Sequence, residues 1–131
     1  MTKSIIKLYE RDLNRLKDEI SSYTEESELW KINKEIKNSG GNLALHLVGN
    51  LNHFIGATLG NTGYIRQRER EFNDKNVSKQ DIIDQINSVK KILLEILPSL
   101  KKEDLSKNYP IDVFGSPMST EYFLIHLYGH L

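Results

Sequence analysis

The sequence predicts an all-α fold, a four-helix bundle with a long connection before its last helix, formed as a single domain over residues 1–131. Three observations carry this. Apolar residues recur at spacings of three and four in separate stretches, the mark of helices with one buried face. One stretch, Leu43 to Leu59, holds no charged residue, which places it at the centre of the bundle. The three prolines and eight glycines fall in clusters, so the elements between them are long.

The first helix runs from Ser4 to Tyr23. Ile6, Tyr9, Leu13, Leu16, Ile20 and Tyr23 line one face, and Lys7, Glu10, Arg11, Asp12, Lys17 and Asp18 occupy the rest. This is the pattern of an outer helix. Thr24 to Ser39 is a charged connection anchored by Leu29, Trp30 and Ile32, with room for one helical turn. Trp30, the single tryptophan, reads as a lid over the core. Asn38-Ser-Gly-Gly-Asn42 joins chain flexibility to capping side chains and starts the second helix near Ser39 to Asn42. Along that helix His46, Asn50, His53 and Ala57 follow at steps of four, three and four. They draw a polar stripe on a helix that is otherwise apolar. Buried polar groups need partners, so something must satisfy His46, Asn50 and His53.

Gly60-Asn-Thr-Gly63 ends this helix with C-cap chemistry. Tyr64 to Phe72 (Y-I-R-Q-R-E-R-E-F) is a mixed-charge run. Its plain reading is a solvated loop or short helix held by its own ion pairs. Its sharper reading turns one arginine inward to bind an anionic substrate group. Ser78, with Asp81 three residues on, opens the next helix. Ile82, Ile86, Val89, Leu93 and Ile96 are its seam, and Pro98 closes it. A short helical piece fits 101–107. Asn108 to Met118, with two prolines and one glycine, is an extended crossing segment with space for a short hairpin. Ser119 caps the last helix and Glu121 stands in its first turn. Thr120, Leu124, Leu127 and Leu131 make one seam of that helix, and His126 and His130 another.

Eighteen basic and eighteen acidic residues give a formal net charge of zero. That balance, without a basic recognition helix, argues against a nucleic-acid partner. The absence of cysteine excludes a disulfide framework, a Cys-based zinc site and a Cys nucleophile. The N-terminal M-T-K-S-I-I-K-L-Y-E-R is too charged for a signal peptide, and no apolar run reaches transmembrane length. A cytoplasmic protein without a membrane partner is the expectation.

All four histidines lie on two apolar helices, and without cysteine the metal ligands available are imidazole and carboxylate. Histidines four apart share one helix face and converge on one ion, with a third ligand arriving from a facing helix. His46 and His53 are seven residues apart, roughly 10 Å along the axis at a rise of about 1.5 Å per residue. Two ligands of one ion do not stand so far apart, so only one of them joins a site. The competing reading makes the histidines hydrogen-bonded core residues, and a short motif alone does not choose between the two.

Three stretches, Leu43-Ala-Leu-His46-Leu-Val-Gly49-Asn50-Leu51, Arg66-Gln-Arg68-Glu-Arg-Glu71-Phe72 and Ile125-His-Leu-Tyr-Gly-His130-Leu131, resemble in this order the DinB/YfiT-like superfamily and, within it, the DUF1572-type subfamily. The likeness spans most of the chain. G-N-L after the histidine and the R-x-R-x-x-E-F run are the more specific parts; the bundle and the H-x-x-x-H belong to the superfamily at large.

The resemblance implies a four-helix bundle holding a divalent metal, zinc or nickel, on three histidines. One comes from the second helix and two from an H-x-x-x-H on the last. His46, just ahead of Leu47-Val48-Gly49-Asn50, matches the first ligand. His130 matches the first histidine of the pair, whose partner would lie four residues further, so the chain is expected to lack the C-terminal end of the domain. His126 then falls one turn too early, and His53 one or two turns past His46. Were Leu131 the end of the protein, the alternative set would be His46, His126 and His130.

Characterised relatives in the superfamily include transferases and isomerases that use low-molecular-weight thiols. The resemblance therefore implies a metal-dependent transferase or hydrolase acting on a small molecule or such a thiol, with Arg66, Arg68 or Arg70 holding a cosubstrate carboxylate and no catalytic side chain assigned. The second function class is a non-catalytic, dimerising, stress-related module that binds a metal or ligand. Gly49, Gly56 and Ala57 suit close helix packing within a subunit or between the two halves of a homodimer.

Overall fold

Helices build the fold over the residues described, 2–32, 39–75 and 77–129 of a computed structural model. They are α1 (Thr2–Ser22), α2 (Gly40–Leu51), α3 (Arg68–Asn73), α4 (Lys79–Ile96), α5 (Lys102–Ser106) and α6 (Thr120–Tyr128). Helix α2 runs on without a break through a π-helical turn, Asn52–Ala57, into a last α-helical turn, Thr58–Gly60. 3₁₀ turns occupy Glu26–Trp30 and Leu97–Ser99. Among the described residues there is no strand, only an isolated antiparallel bridge between Asn108 and Ser119. The expected all-α architecture is the one found.

Local sequence explains where the helices begin. Ser39, Ser78 and Ser119 each take an extended backbone, and their hydroxyls accept from the amides of Asn42, Asp81 and Tyr122 at 3.1, 3.0 and 3.1 Å. Each satisfies one of the amides that a helix start leaves unpaired. The α2 segment ends at Asn61, which adopts the left-handed conformation with φ 52°. Asparagine tolerates that region, and Gly63, two residues on in the same turn, adopts it too with φ 78°.

Four helices share one core. Ile5, Tyr9, Leu13 and Ile20 of α1 meet Ala44, Leu45, Val48, Leu51 and Ile55 of the α2 segment, Ile82, Ile86, Val89 and Leu93 of α4, and Phe123, Leu124 and Leu127 of α6. Each Leu or Ile taken fully out of water contributes about 1.5–3 kcal/mol. Helix α1 lies along α4, and α2 packs against both α3 and α4. The Tyr9 hydroxyl crosses the core to donate to the Leu124 carbonyl at 2.8 Å, and burial pushes its ionisation well above the ordinary tyrosine range.

Details differ from the sequence reading at the edges. Ile5, four before Tyr9 in the row of Leu13, is buried in the first turn, while Ile6 is only partly covered. Phe123 joins the buried face of α6 because Tyr109, from the long connection, stacks on it at 3.8 Å. The connection itself is pinned by Tyr109 N–H to the Met118 carbonyl at 2.9 Å and by Thr120 N–H to the Lys107 carbonyl at 2.8 Å. Trp30 is buried in the core, as a lid should be. Among the described residues no helix is long and apolar enough to cross a membrane.

Candidate functional site

His46 lies on α2 where the helix faces α3. Its ring is half-buried and rests against Phe72, with centroids 4.9 Å apart. Its Nδ1 stands 3.1 Å from Oε1 of Glu71. Glu71 is the one buried residue of α3, with its side chain only 7 % exposed. Arg66, which precedes α3, is 14 % exposed. It donates Nε–H to Glu71 Oε2 and Nη2–H to Oε1, each at 3.0 Å. The charge of the carboxylate is thus met by a forked guanidinium, the geometry that makes such pairs strong.

Arg66 Nη2 also comes within 3.3 Å of His46 Nδ1. The two neighbours ask opposite things of that nitrogen, because guanidinium only donates and carboxylate only accepts. The carboxylate is nearer, and a bare Nδ1 would set lone pair against lone pair with Oε1. The network therefore assigns the proton to Nδ1, which donates to Glu71 and leaves the lone pair on Nε2.

Two features put Glu71 there. Asn42, buried in the first turn of α2, donates both amide hydrogens to the end of α3, to the Glu71 carbonyl at 3.0 Å and to the carbonyl of Asp74, the residue after the helix, at 2.8 Å. Gly49, three residues after His46, leaves the space: a Cβ on it would sit 2.5 Å from the Glu71 carboxyl carbon and overlap Oε2.

The rest of the stripe has other surroundings. The side-chain oxygen of Asn50 is buried with no partner among the described residues. His53 lies in the π-helical turn, edge-on to Phe54 at 4.7 Å. Burial, and then the Arg66 charge, hold its imidazole below the ordinary pKa, against a smaller opposing pull from Glu71. His126 is exposed on α6 and packs edge-on against Phe114 at 4.6 Å. His130 lies outside the described residues. Among those described, no three His, Asp or Glu side chains group to hold a metal ion. Of the imidazoles, His46 has the arrangement of a ligand: a metal-bound histidine ordinarily gives its other N–H to a carboxylate, which fixes the tautomer and orients the ring. The donor fits the expected metal at this one position.

Of the arginines, Arg66 alone turns inward, and its partner is Glu71 of the same chain. Arg70 pairs with Asp74 at 3.3 Å and Gln67 at 2.9 Å. Arg68 lies over the Phe72 ring, 6.0 Å from its centroid. On the far side of Gly49 and Glu71 a cavity of about 470 Å³ opens between α2, α3 and α4, with Asn52, Tyr64, Gln85 and Ser88 on its walls.

Reasoning along the sequence found His46 and marked Gly49 for close packing, but it did not find Glu71 as their neighbour; the inward arginine of its sharper reading meets this carboxylate and not a substrate anion. The demand that a buried histidine find a partner was the available signal, and the acid had to come from the charged run after Gly63.

Fold and site together define an all-α protein of four principal helices in which a buried Arg–Glu pair orients a histidine. Residues 2–119 match the model of a family described as protein of unknown function (DUF1572), and the chain belongs to that family. The match includes His46, Gly49, Arg66 and Glu71 and ends at Ser119, the N-cap of α6. Comparison with curated proteins and with solved structures found no match.

Proposed function

We propose that this protein is a divalent-metal-dependent enzyme of the DinB/YfiT-like superfamily, with His46 a ligand through Nε2 and His130 a further imidazole ligand. The observation that supports this is the 3.1 Å hydrogen bond from His46 Nδ1 to a buried, arginine-clamped carboxylate, the usual outer partner of a metal-bound histidine. A zinc or nickel ion there would supply Lewis acidity, lowering the pKa of a bound water or thiol to near neutrality.

The chain's own residues do the rest. Phe72 covers one face of the His46 ring and limits water there. Arg66 is committed to Glu71 and Arg70 to Asp74, which leaves Arg68, beside Phe72, as the cation for a carboxylate on the cosubstrate. The substrate class is a small molecule or low-molecular-weight thiol, and the reaction a transfer or hydrolysis. The reading carries a cytoplasmic location and a homodimer, the latter supported by Tyr122 and Ile125, which stand exposed on α6.

Elemental analysis of the purified full-length protein tests this. Stoichiometric zinc or nickel is expected, lost in His46→Ala and in His130→Ala while the helical circular dichroism stays. A natively folded protein that takes up neither ion from excess would sink the proposal.

A further inference from the structure

Gly49, Arg66 and Glu71 belong to two segments far apart in sequence, yet each is shaped by the others. The Glu71 carboxylate lies against α2 where Gly49 presents no side chain. Arg66 fixes its rotation by donating one hydrogen bond to each oxygen. A lysine is a single point donor and would not do this. Oε1 is thereby held toward His46 Nδ1.

We infer that Gly49, Arg66 and Glu71 form one positioning unit for His46. Gly49 is the notch that admits the carboxylate, Arg66 sets its orientation and balances its charge, and Glu71 holds the imidazole in the Nδ1–H tautomer so that Nε2 is presented as a lone-pair donor. The use of that lone pair rests on the metal-ligand reading; the tautomer itself does not. The unit has an asymmetry that can be read out. Arg66 Nη2 already lies 3.3 Å from Nδ1, and guanidinium has only donors. Remove the Glu71 carboxylate and Arg66 becomes the donor to Nδ1, which forces the proton onto Nε2. Losing Glu71 therefore inverts the tautomer, an outcome that a purely structural role for the ion pair does not give.

Ring nitrogen-15 NMR of the metal-free, full-length protein in mildly alkaline buffer tests this. In the wild type His46 should show a protonated Nδ1 and a bare Nε2. Glu71→Ala should reverse the two signals. Arg66→Met/Glu71→Leu, which removes acceptor and donor together and keeps the volume filled, should leave a mixture, as should Gly49→Ala. Zinc affinity at His46 should fall by about 10–100-fold in all three variants. A wild-type His46 protonated on Nε2 overturns the inference, and so does an Nδ1–H form that survives in the double variant should Glu71→Ala not fold. The two readings fail separately. Tautomer changes without any metal uptake would sink the metal proposal alone. Metal bound at His46 with the same tautomer and affinity in every variant would sink this one alone.

Discussion

Arg66 and Glu71 meet through two parallel hydrogen bonds of 3.0 Å, with side chains only 14 % and 7 % exposed. Breaking a buried pair from one side strands a charge, which costs about 3–5 kcal/mol, whereas replacing both partners by apolar groups of similar volume is often nearly neutral. Arg66→Met should therefore destabilise the protein by about 3–5 kcal/mol. Arg66→Met/Glu71→Leu should cost no more than about 1–2 kcal/mol, the scale of the hydrogen bond that His46 loses. Urea unfolding of Arg66→Met, Glu71→Leu and the double variant reads the coupling. Additive losses would show that the pair is not a unit.

Gly49→Ala separates helix propensity from packing. Within a helix alanine is favoured over glycine by about 1 kcal/mol, so the change should stabilise α2 if nothing stood nearby. The Glu71 carboxyl carbon would stand 2.5 Å from the new methyl, and the expected result is a loss of about 1–3 kcal/mol. Gly56→Ala is the control. Its Cβ would meet Thr62 Oγ1 at 3.3 Å and nothing closer, and its effect should be near zero. Equal effects at the two sites, measured by denaturant midpoints, would refute the notch.

His53 predicts a pH dependence. Its folded pKa lies below 6.5, through burial first and the Arg66 charge second. As pH falls past 6.5 the unfolded chain binds this proton before the folded chain does. Stability is thus full above the unfolded value and declines as pH drops through it toward the lower folded value. The midpoint of thermal unfolding should fall across that window in the wild type and fall less steeply in His53→Phe, which keeps an aromatic ring against Phe54. Identical slopes would place the titration elsewhere.

Asn50 carries the last unmet demand of the polar stripe. Its Oδ1 is buried without a partner among the described residues, and an unsatisfied buried acceptor costs about 1–3 kcal/mol. Asn50→Leu, which has the same branching though a larger volume, removes that acceptor and should raise stability by about 1 kcal/mol. A marked loss in chemical denaturation would mean that Asn50 has a partner.

What could be read from the sequence was what depends on neighbours a turn away. The three serine caps are of this kind, and so is the uncharged run from Leu43 to Leu59 that became the central helix. The line of His46, Asn50 and His53 followed from helix period alone, up to the π-helical turn that holds His53, which the sequence does not mark. Glu71 was not legible as the partner of His46. Arg66 stands outside α3 and Glu71 within it, so no helical spacing relates them. They meet because Asn61 and Gly63 turn the chain and Asn42 fastens α3 to α2. Both are long-range conditions. The stretches around His46 and from Arg66 to Phe72 that carry the family resemblance are the two halves of this contact.

Asn42 makes the final prediction, because it is where the site is tied to the fold. The residue is buried, its Oδ1 accepts from the Ser39 hydroxyl at 2.6 Å, and its Nδ2 reaches the carbonyls of Glu71 and Asp74. Helix α3 has six residues, far below the length at which a helix is stable alone, so its order depends on such ties. Asn42→Leu leaves two carbonyls in a buried place without a donor and should cost about 2 kcal/mol or more. Ser39→Ala removes the cap and the hydroxyl donor to Asn42 Oδ1 but leaves both Nδ2 bonds, and should cost about 1–2 kcal/mol. Hydrogen exchange distinguishes the two. In Asn42→Leu the amides of 68–74 should exchange much faster while those of α1 and α4 change only with global stability. In Ser39→Ala the first turn of α2 should open instead. Unchanged protection of 68–74 in Asn42→Leu would mean that the Arg66–Glu71–His46 contact holds α3 in place by itself.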